Sequence, residues 1–362
     1  MKSTVALCVS GHGFGHAVRS AEVARELLAR GARVLVRTEA PLWLFPAGVE
    51  PLPAPGCPLD VGVVQRDGLE LDVDETRRQW RAFADSFPAR VEQEATSLRA
   101  AGADVLVGDI PPIAFAAAAR AGVPSAALGN FGWDWIYAAW PGFERAINCV
   151  QEAYQQADVL LRLPLHALEP DAFPAFRSIE DLPLIARRAT KPRAAIRAEL
   201  GIPQDARAVL LSFGGFDTAS MDLTTLGAWR DYLFVLTPLT ENHPSHIPPN
   251  VRVLPRNQVE YASLLAACDA VVTKPGYGIV ADCLANHVPV LYTDRGPFRE
   301  YAILTKALEM LGRARYIRQD DVRRGVLGPH LDALLALRTP WRSVPLEGAS
   351  VAAERVLGLA LQ

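Results

Sequence analysis

One pattern, present twice, constrains the fold more than anything else in the chain: a short apolar run, a glycine turn, and then a helix-forming stretch. The first copy is Thr4-Val5-Ala6-Leu7-Cys8-Val9, then Gly11-His12-Gly13-Phe14-Gly15-His16. The stretch behind it aligns Val18, Ala21, Val23, Ala24, Leu27 and Leu28 on one apolar face and stops at Gly31. The second copy is Ala208-Val209-Leu210-Leu211, followed by Ser212-Phe213-Gly214-Gly215. A continuous apolar run suits a strand whose sheet is covered on both faces, and a helix after it makes the next strand parallel. Arg33–Arg37, Ala103–Asp109 and Pro124–Leu128 read as further strands of the first half. Leu233–Leu236, Val251–Leu254, Ala270–Thr273 and Val288–Leu291 read as strands of the second. The expected fold is therefore α/β, with two Rossmann-like parallel sheets.

A length of 362 residues agrees with about two domains. Pro164, Pro170, Pro174, Pro183 and Pro192 crowd a stretch without a clean period, which reads as a linker. The expected organisation is a first domain over 1–163, a linker over 164–193, a second domain over 194–345, and a helix over 346–362 with no obvious place in the second sheet. The basic residues between Arg313 and Arg324 read as a solvated helix face.

Composition removes several functions. The chain carries 37 Lys and Arg against 40 Asp and Glu, a net charge of −3, so it lacks the basic excess of a nucleic-acid binder. The most apolar stretch, Pro112–Leu128, is broken by Arg120 and Pro124 and falls short of a membrane span. The N-terminus does not read as a signal peptide, and the expected location is cytoplasmic. Cys8, Cys57, Cys149, Cys268 and Cys283 are odd in number and far apart, which fits reduced thiols.

The chemistry concentrates at the turns. The first has GxGxG spacing, not GxGxxG, which argues against a nicotinamide or flavin site; a GxxxxGK[ST] phosphate loop is absent from the sequence. Its two histidines fall at the C-terminal edge of a strand, where open α/β sheets bind ligands. His16, at the start of the helix, can act as a general base towards a hydroxyl, and Asp109, ending another strand, is the candidate to hold its other nitrogen. Helix caps at both positions are the plain alternative. In the second half, Ser212–Phe216 and Thr273-Lys274-Pro275-Gly276-Tyr277-Gly278 read as two parts of a phosphate cradle, with a helix start beside them. Turns required only for packing are the alternative there. Asp282, about one turn into that helix, could accept hydrogen bonds from ribose hydroxyls. Asn130-Phe131-Gly132-Trp133-Asp134-Trp135 offers aromatic faces that suit a sugar ring, or a core. His166, His243, His246 and His287 read as structural.

On these residues the chain resembles the GT-B fold of nucleotide-sugar glycosyltransferases. GHGFGH, DIPPIAFAAAARAGVP, NFGWDWIYA, SFGG and KPGYG are more specifically similar to the glycosyltransferase-like N-terminal half of plant arabinokinases and its stand-alone bacterial relatives. The resemblance implies two domains facing a crevice, with the C-terminal helix crossing back onto the first. It implies His16 as base and Asp109 as its partner. It implies that Gly214, Gly215, Gly276 and Gly278 line a diphosphate, that Asp282 meets the ribose, and that Arg256 to Val259 meets the base edge. Two positions depart from the donor signature: Ile279 stands where Thr is usual, and Asp282 where Glu is usual.

The expectation is a metal-independent, inverting, hexosyltransferase-like enzyme that moves a sugar from a nucleoside-diphosphate donor, a UDP-sugar, to a hydroxyl acceptor. Lys274 would help hold the departing diphosphate. His12, Gly13, Phe14, Asn130, Trp133 and Trp135 would face the acceptor. No cofactor is expected, because the nucleotide-sugar is a substrate. A nucleotide-sugar epimerase or hydrolase on the same fold, or a non-catalytic binding module, are the alternatives.

Overall fold

The computed structural model describes residues 2–54, 56–65, 71–213, 221–237, 247–255 and 260–361. They form two compact units. The first holds the described residues up to Val64, from Leu71 to Ala186 and from Pro345 onward; the second holds Gln65 and the described residues from Arg187 to Val344.

The first unit runs β1 (Thr4–Val9), α1 (Phe14–Ala29), β2 (Arg33–Arg37), β3 (Glu50–Pro51), α2 (Val73–Ala101), β4 (Val105–Asp109), α3 (Pro112–Ala121), β5 (Ser125–Gly129), α4 (Trp133–Tyr137), α5 (Glu144–Tyr154), β6 (Val159–Arg162) and β7 (Ile179–Asp181). Its strands lie in the order β3-β2-β1-β4-β5-β6-β7, and every pair is parallel. The order reverses between β1 and β4, so the loops leaving those two strands open on the same edge at a topological switch point. Register pairs Val9 with Asp109 across that point. Val5, Leu7 and Val9 of β1 are wholly buried, each contributing about 1.5–3 kcal/mol by the area it hides from water.

The second unit runs α6 (Arg193–Glu199), β8 (Arg207–Ser212), β9 (Tyr232–Leu236), β10 (Val251–Val253), α7 (Tyr261–Ala267), β11 (Ala270–Thr273), α8 (Tyr277–Asn286), β12 (Val290–Tyr292), α9 (Tyr301–Leu311), β13 (Ala314–Tyr316), α10 (Gln319–Arg323) and α11 (Gly328–Leu335). Its order, β10-β9-β8-β11-β12-β13, places a second switch point between β8 and β11. The last helix, α12 (Gly348–Leu359), belongs to the first unit, where Arg30 at the end of α1 donates to Ser350 Oγ at 2.8 Å.

Three features differ from the sequence reading. The proline-rich stretch is not a linker from 164: β7 lies within it and pairs with β6, and the units divide between Ala186 and Arg187. Prolines punctuate this stretch without preventing a three-residue edge strand. The basic stretch from Arg313 is not one helix. Ala314–Tyr316 forms the edge strand β13 and only Gln319–Arg323 is helical, because an edge strand tolerates outward Arg and Tyr. Finally, α2 is a 29-residue helix that the strand-centred reading did not anticipate. It starts where the Asp72 side chain accepts from the Glu75 amide (2.9 Å) and ends at Gly102, whose φ of 63° is left-handed.

Candidate active site

The site in the first unit is built at the β1–β4 switch point. The turn after β1 enters α1 through Gly13, which has φ 70° and ψ 178°. That conformation favours glycine, although an added Cβ would meet no atom within 4 Å. The tight turn places His16 in the first turn of α1, with its side chain buried. Its Nδ1 lies 2.7 Å from Oδ1 of Asp109, the last residue of β4. The residue pair expected from the sequence therefore does meet.

The structure adds two partners that sequence reasoning missed. Arg19 and Ser20 lie three and four residues after His16, on the same helix face, and both reach Asp109. Arg19 Nε donates to Oδ2 (2.7 Å) and Nη2 to Oδ1 (2.5 Å), while Ser20 Oγ donates to Oδ2 (2.8 Å). The third Arg19 branch, Nη1, donates to Asn130 Oδ1 at 2.6 Å. Burial alone would raise the Asp109 carboxyl, but the Arg19 guanidinium and the hydrogen bonds from Arg19 and His16 overcome it and hold it below the usual carboxylate range. An ionised carboxylate only accepts, so the His16 Nδ1 carries a proton, and in the neutral ring the lone pair is on Nε2. A base with that tautomer can take a proton from a hydroxyl.

His12 is held the other way round. The Val63 amide donates to its Nδ1 at 3.2 Å, so in the neutral ring the proton is on Nε2, which makes that atom a donor. Gly62 permits this approach: it has φ 58°, and a Cβ there would come within 2.7 Å of the His12 Cβ. The two imidazoles have ring centroids 6.5 Å apart, and Trp133 packs against both, at 5.3 Å from His12 and 5.9 Å from His16. Trp133 itself is completely buried and donates its indole N–H to Asp60 at 3.0 Å. Burial pushes the Asp60 carboxyl up to about 7, against the opposing pull of hydrogen bonds from Ser10 and Trp133. Nothing in the sequence around Asp60 marked it, since it lies in a loop.

The acceptor-side expectations are revised accordingly. Asn130, Trp133 and Trp135 are interior residues: Asn130 holds Arg19, Trp133 backs the histidines, and Trp135 donates to the Pro170 carbonyl at 3.0 Å. Phe14 is half-buried and meets the exposed Trp43 edge to face at 5.8 Å.

In the second unit, Gly214, Gly215, Arg256 and Val259 lie outside the described residues, as do His243 and His246. Gly276 caps α8 in extended backbone, and Gly278 is buried in the first turn. The first N–H groups of a helix have no intrahelical acceptor, the usual basis of an anion site. Near them, Arg295 Nη1 lies 3.7 Å from where a Gly276 Cβ would be and donates to Glu300 (2.9 Å). Lys274 Nζ lies 3.4 Å from Gln65 Oε1. Asp282, expected at a ribose, is buried instead against Arg187. It accepts from the Arg187 amide (2.8 Å), Nε (2.9 Å) and Nη2 (2.6 Å). Arg187 in turn stacks on Tyr261 at 4.5 Å, whose hydroxyl is 2.7 Å from Ser212 Oγ. The carboxylate is one methylene shorter than the usual Glu and sits inside the fold.

Of the other histidines, His166 Nδ1 is 2.9 Å from the Leu163 carbonyl, and His287 ends α8 and stacks on Trp341. All five cysteines are unpaired thiols. Among the described residues no group of three or more His, Cys, Asp or Glu side chains could hold a metal ion, and no helix is long and apolar enough to cross a membrane.

No family model matches the chain. It is 33% identical over 353 residues to the L-arabinokinase of Arabidopsis thaliana; the match covers 95% of this chain and 33% of that protein, so the chain spans about a third of its relative's length. Among solved structures it is similar to the glycosyltransferase SnogD from Streptomyces nogalater, with TM-score 0.61 and 18% identity over 99% of this chain and 100% of that one. It is also similar to Arabidopsis thaliana UGT89C1 complexed with UDP, with TM-score 0.58 and 16% identity over 99% and 95% of the two chains. These likenesses show the fold: the chain has the GT-B architecture of glycosyltransferases.

Proposed function

We propose that the protein is a glycosyltransferase that moves a sugar from a nucleoside-diphosphate donor to a hydroxyl acceptor, with inversion and without a metal. One observation carries the reading: His16 is anchored through Nδ1 on an ionised Asp109, which puts the lone pair on Nε2 at the switch point of the first sheet. Nε2 takes the acceptor's hydroxyl proton as the oxygen bonds to the anomeric carbon. The bond from that carbon to the diphosphate breaks in the same displacement, and the leaving oxygen keeps the electron pair. A single displacement inverts the anomeric centre. His12 Nε2–H is a donor suited to a sugar or acceptor oxygen.

On the donor side, the first turn of α8 and Lys274 supply positive potential for a diphosphate. The likeness to a UDP-complexed transferase supports uridine diphosphate as the donor's nucleotide. The kinase chemistry in the name of the L-arabinokinase relative is that of a protein of which this chain spans about a third, and it is not carried over.

The engagement of Asp282 by Arg187 favours a second reading, a nucleotide-sugar binding module without turnover. A melting-temperature screen against UDP, GDP, ADP and their sugars, with EDTA present, followed by mass spectrometry of products, separates them. The transferase reading expects one nucleotide to stabilise by about 2.7 kcal/mol at a hundredfold excess over its Kd, and a glycosylated product that needs an acceptor. Binding without product across acceptors supports the module, and sugar release from donor alone supports a hydrolase. No binding and no product overturns all three.

A further inference from the structure

We propose that Arg19 is a positioning residue that sets the protonation of His16: by taking up the charge of Asp109, it keeps His16 a neutral imidazole. The catalytic meaning of this inference rests on the transferase reading; its physical content and its test do not.

The geometry is that of a buried cluster around one carboxylate. Arg19 is only 3% exposed and commits all three nitrogens of its fork, two to Asp109 and one to Asn130. Asp109 is wholly buried and accepts four hydrogen bonds, from His16, from Arg19 twice and from Ser20. His16 Nδ1 and Arg19 Nη2 both reach Oδ1, at 2.7 and 2.5 Å, and stand 3.0 Å apart.

Charge counting then decides the outcome. A buried His–Asp pair without a cation carries one negative charge and becomes neutral when it gains a proton. With Arg19 in place, the set of Arg19, Asp109 and His16 is already neutral, and a further proton would leave a net positive charge out of water. That state is costly, so His16 stays unprotonated further into the acid range. Asp109 therefore orients the base and fixes its tautomer but is a weak partner for an imidazolium, unlike the lone carboxylate of a Ser-His-Asp triad. Among the described residues, the other titratable or charged groups on the elements around His16 include His12 in the turn, Asp60 bonded to Trp133, Asp134 on α4, Glu39 after β2, the buried Arg37–Glu94 pair of β2 and α2, and Glu22, Arg25, Glu26 and Arg30 further along α1. None of these changes when Arg19 is replaced.

The test is a pH titration of the histidine ring nitrogens by NMR on the full chain, without substrate, comparing wild type with Arg19→Gln and Arg19→Lys. Wild-type His16 should show the Nδ1–H tautomer and protonate below the ordinary histidine value of about 6.5. Arg19→Gln should move proton uptake by the His16–Asp109 pair upward by about one pH unit or more, because neutralising the pair becomes favourable. Arg19→Lys, which keeps the charge without the fork, should restore most of the wild-type midpoint. A folded Arg19→Gln chain that titrates at the wild-type pH would overturn the inference. So would a wild-type His16 that protonates above 6.5, a readout that survives if the variant does not fold. Once a donor and acceptor are known, Arg19→Gln should shift the acid limb of kcat/KM in the same direction with little change in donor KM. An absence of transfer would count against the functional reading and leave the titration result standing.

Discussion

Replacing Asp60 by Asn should make the protein more stable at alkaline pH while leaving it nearly unchanged in acid. The Asp60 carboxyl is buried behind Trp133 and held at about 7, against 3.8 for an exposed Asp. Between those values the folded chain keeps a proton that the unfolded chain has released, so the fold loses stability as pH rises. The slope is about 1.4 kcal/mol per pH unit for one proton. From pH 5 to pH 7 this comes to about 3 kcal/mol, and above pH 7 the loss levels off. Asn has the same shape and can still accept from the Trp133 indole N–H, but it has no charge to bury. Urea unfolding of both proteins at pH 5 and pH 8 isolates the effect, because every other titrating group, including Asp134 at about 6, is common to both. The variant should gain about 3 kcal/mol relative to wild type between the two conditions. Equal pH dependence in the two proteins would show that Asp60 is ionised throughout, and the account of this pocket would fail.

Three further outcomes follow from the same geometry. Asp109→Asn should cost about 3–5 kcal/mol of unfolding free energy, since it leaves the buried Arg19 guanidinium without a counter-charge; a loss under about 1 kcal/mol in urea would contradict the cluster. Asp282→Ala should destabilise the fold by a similar mechanism, yet change UDP affinity by less than about threefold in calorimetry, because Arg187 occupies the carboxylate; a tenfold weakening would restore the ribose role. Gly13→Ala should cost about 1–2 kcal/mol from its φ of 70° alone, seen as a lower melting temperature, and an unchanged melting temperature would mean that the turn relaxes freely.

How far the sequence reaches can be seen residue by residue. The strands read from apolar runs are present, because a buried parallel strand leaves a continuous apolar signature. His16 and Asp109 were legible because both follow or end such strands, and the sheet order then brings them together at the switch point. Arg19 was one step away: it lies on the His16 face of α1, and only the long-range contact with Asp109 reveals its use. Asp60 has no periodic context at all, and burial alone gives it its properties. Asp282 misled for a related reason. Its partner Arg187 lies at the end of the proline-rich stretch, which reads as a linker, so nothing nearby predicts that the carboxylate is already engaged. The aromatic cluster from Asn130 to Trp135 was open to two readings, sugar platform or core, and the structure places those residues inside. The short edge strands β3, β7 and β13 are the kind of element that two or three residues cannot announce.

The central claim is that His16 is the base for transfer to a hydroxyl, and turnover of His16→Ala on the donor and acceptor identified by screening tests it most directly. The account predicts a loss of at least about a hundredfold in kcat, with donor affinity within a few-fold of wild type, because the variant removes the proton acceptor and leaves the nucleotide's contacts intact. A variant that keeps its turnover to within about tenfold, at unchanged fold stability, would contradict it.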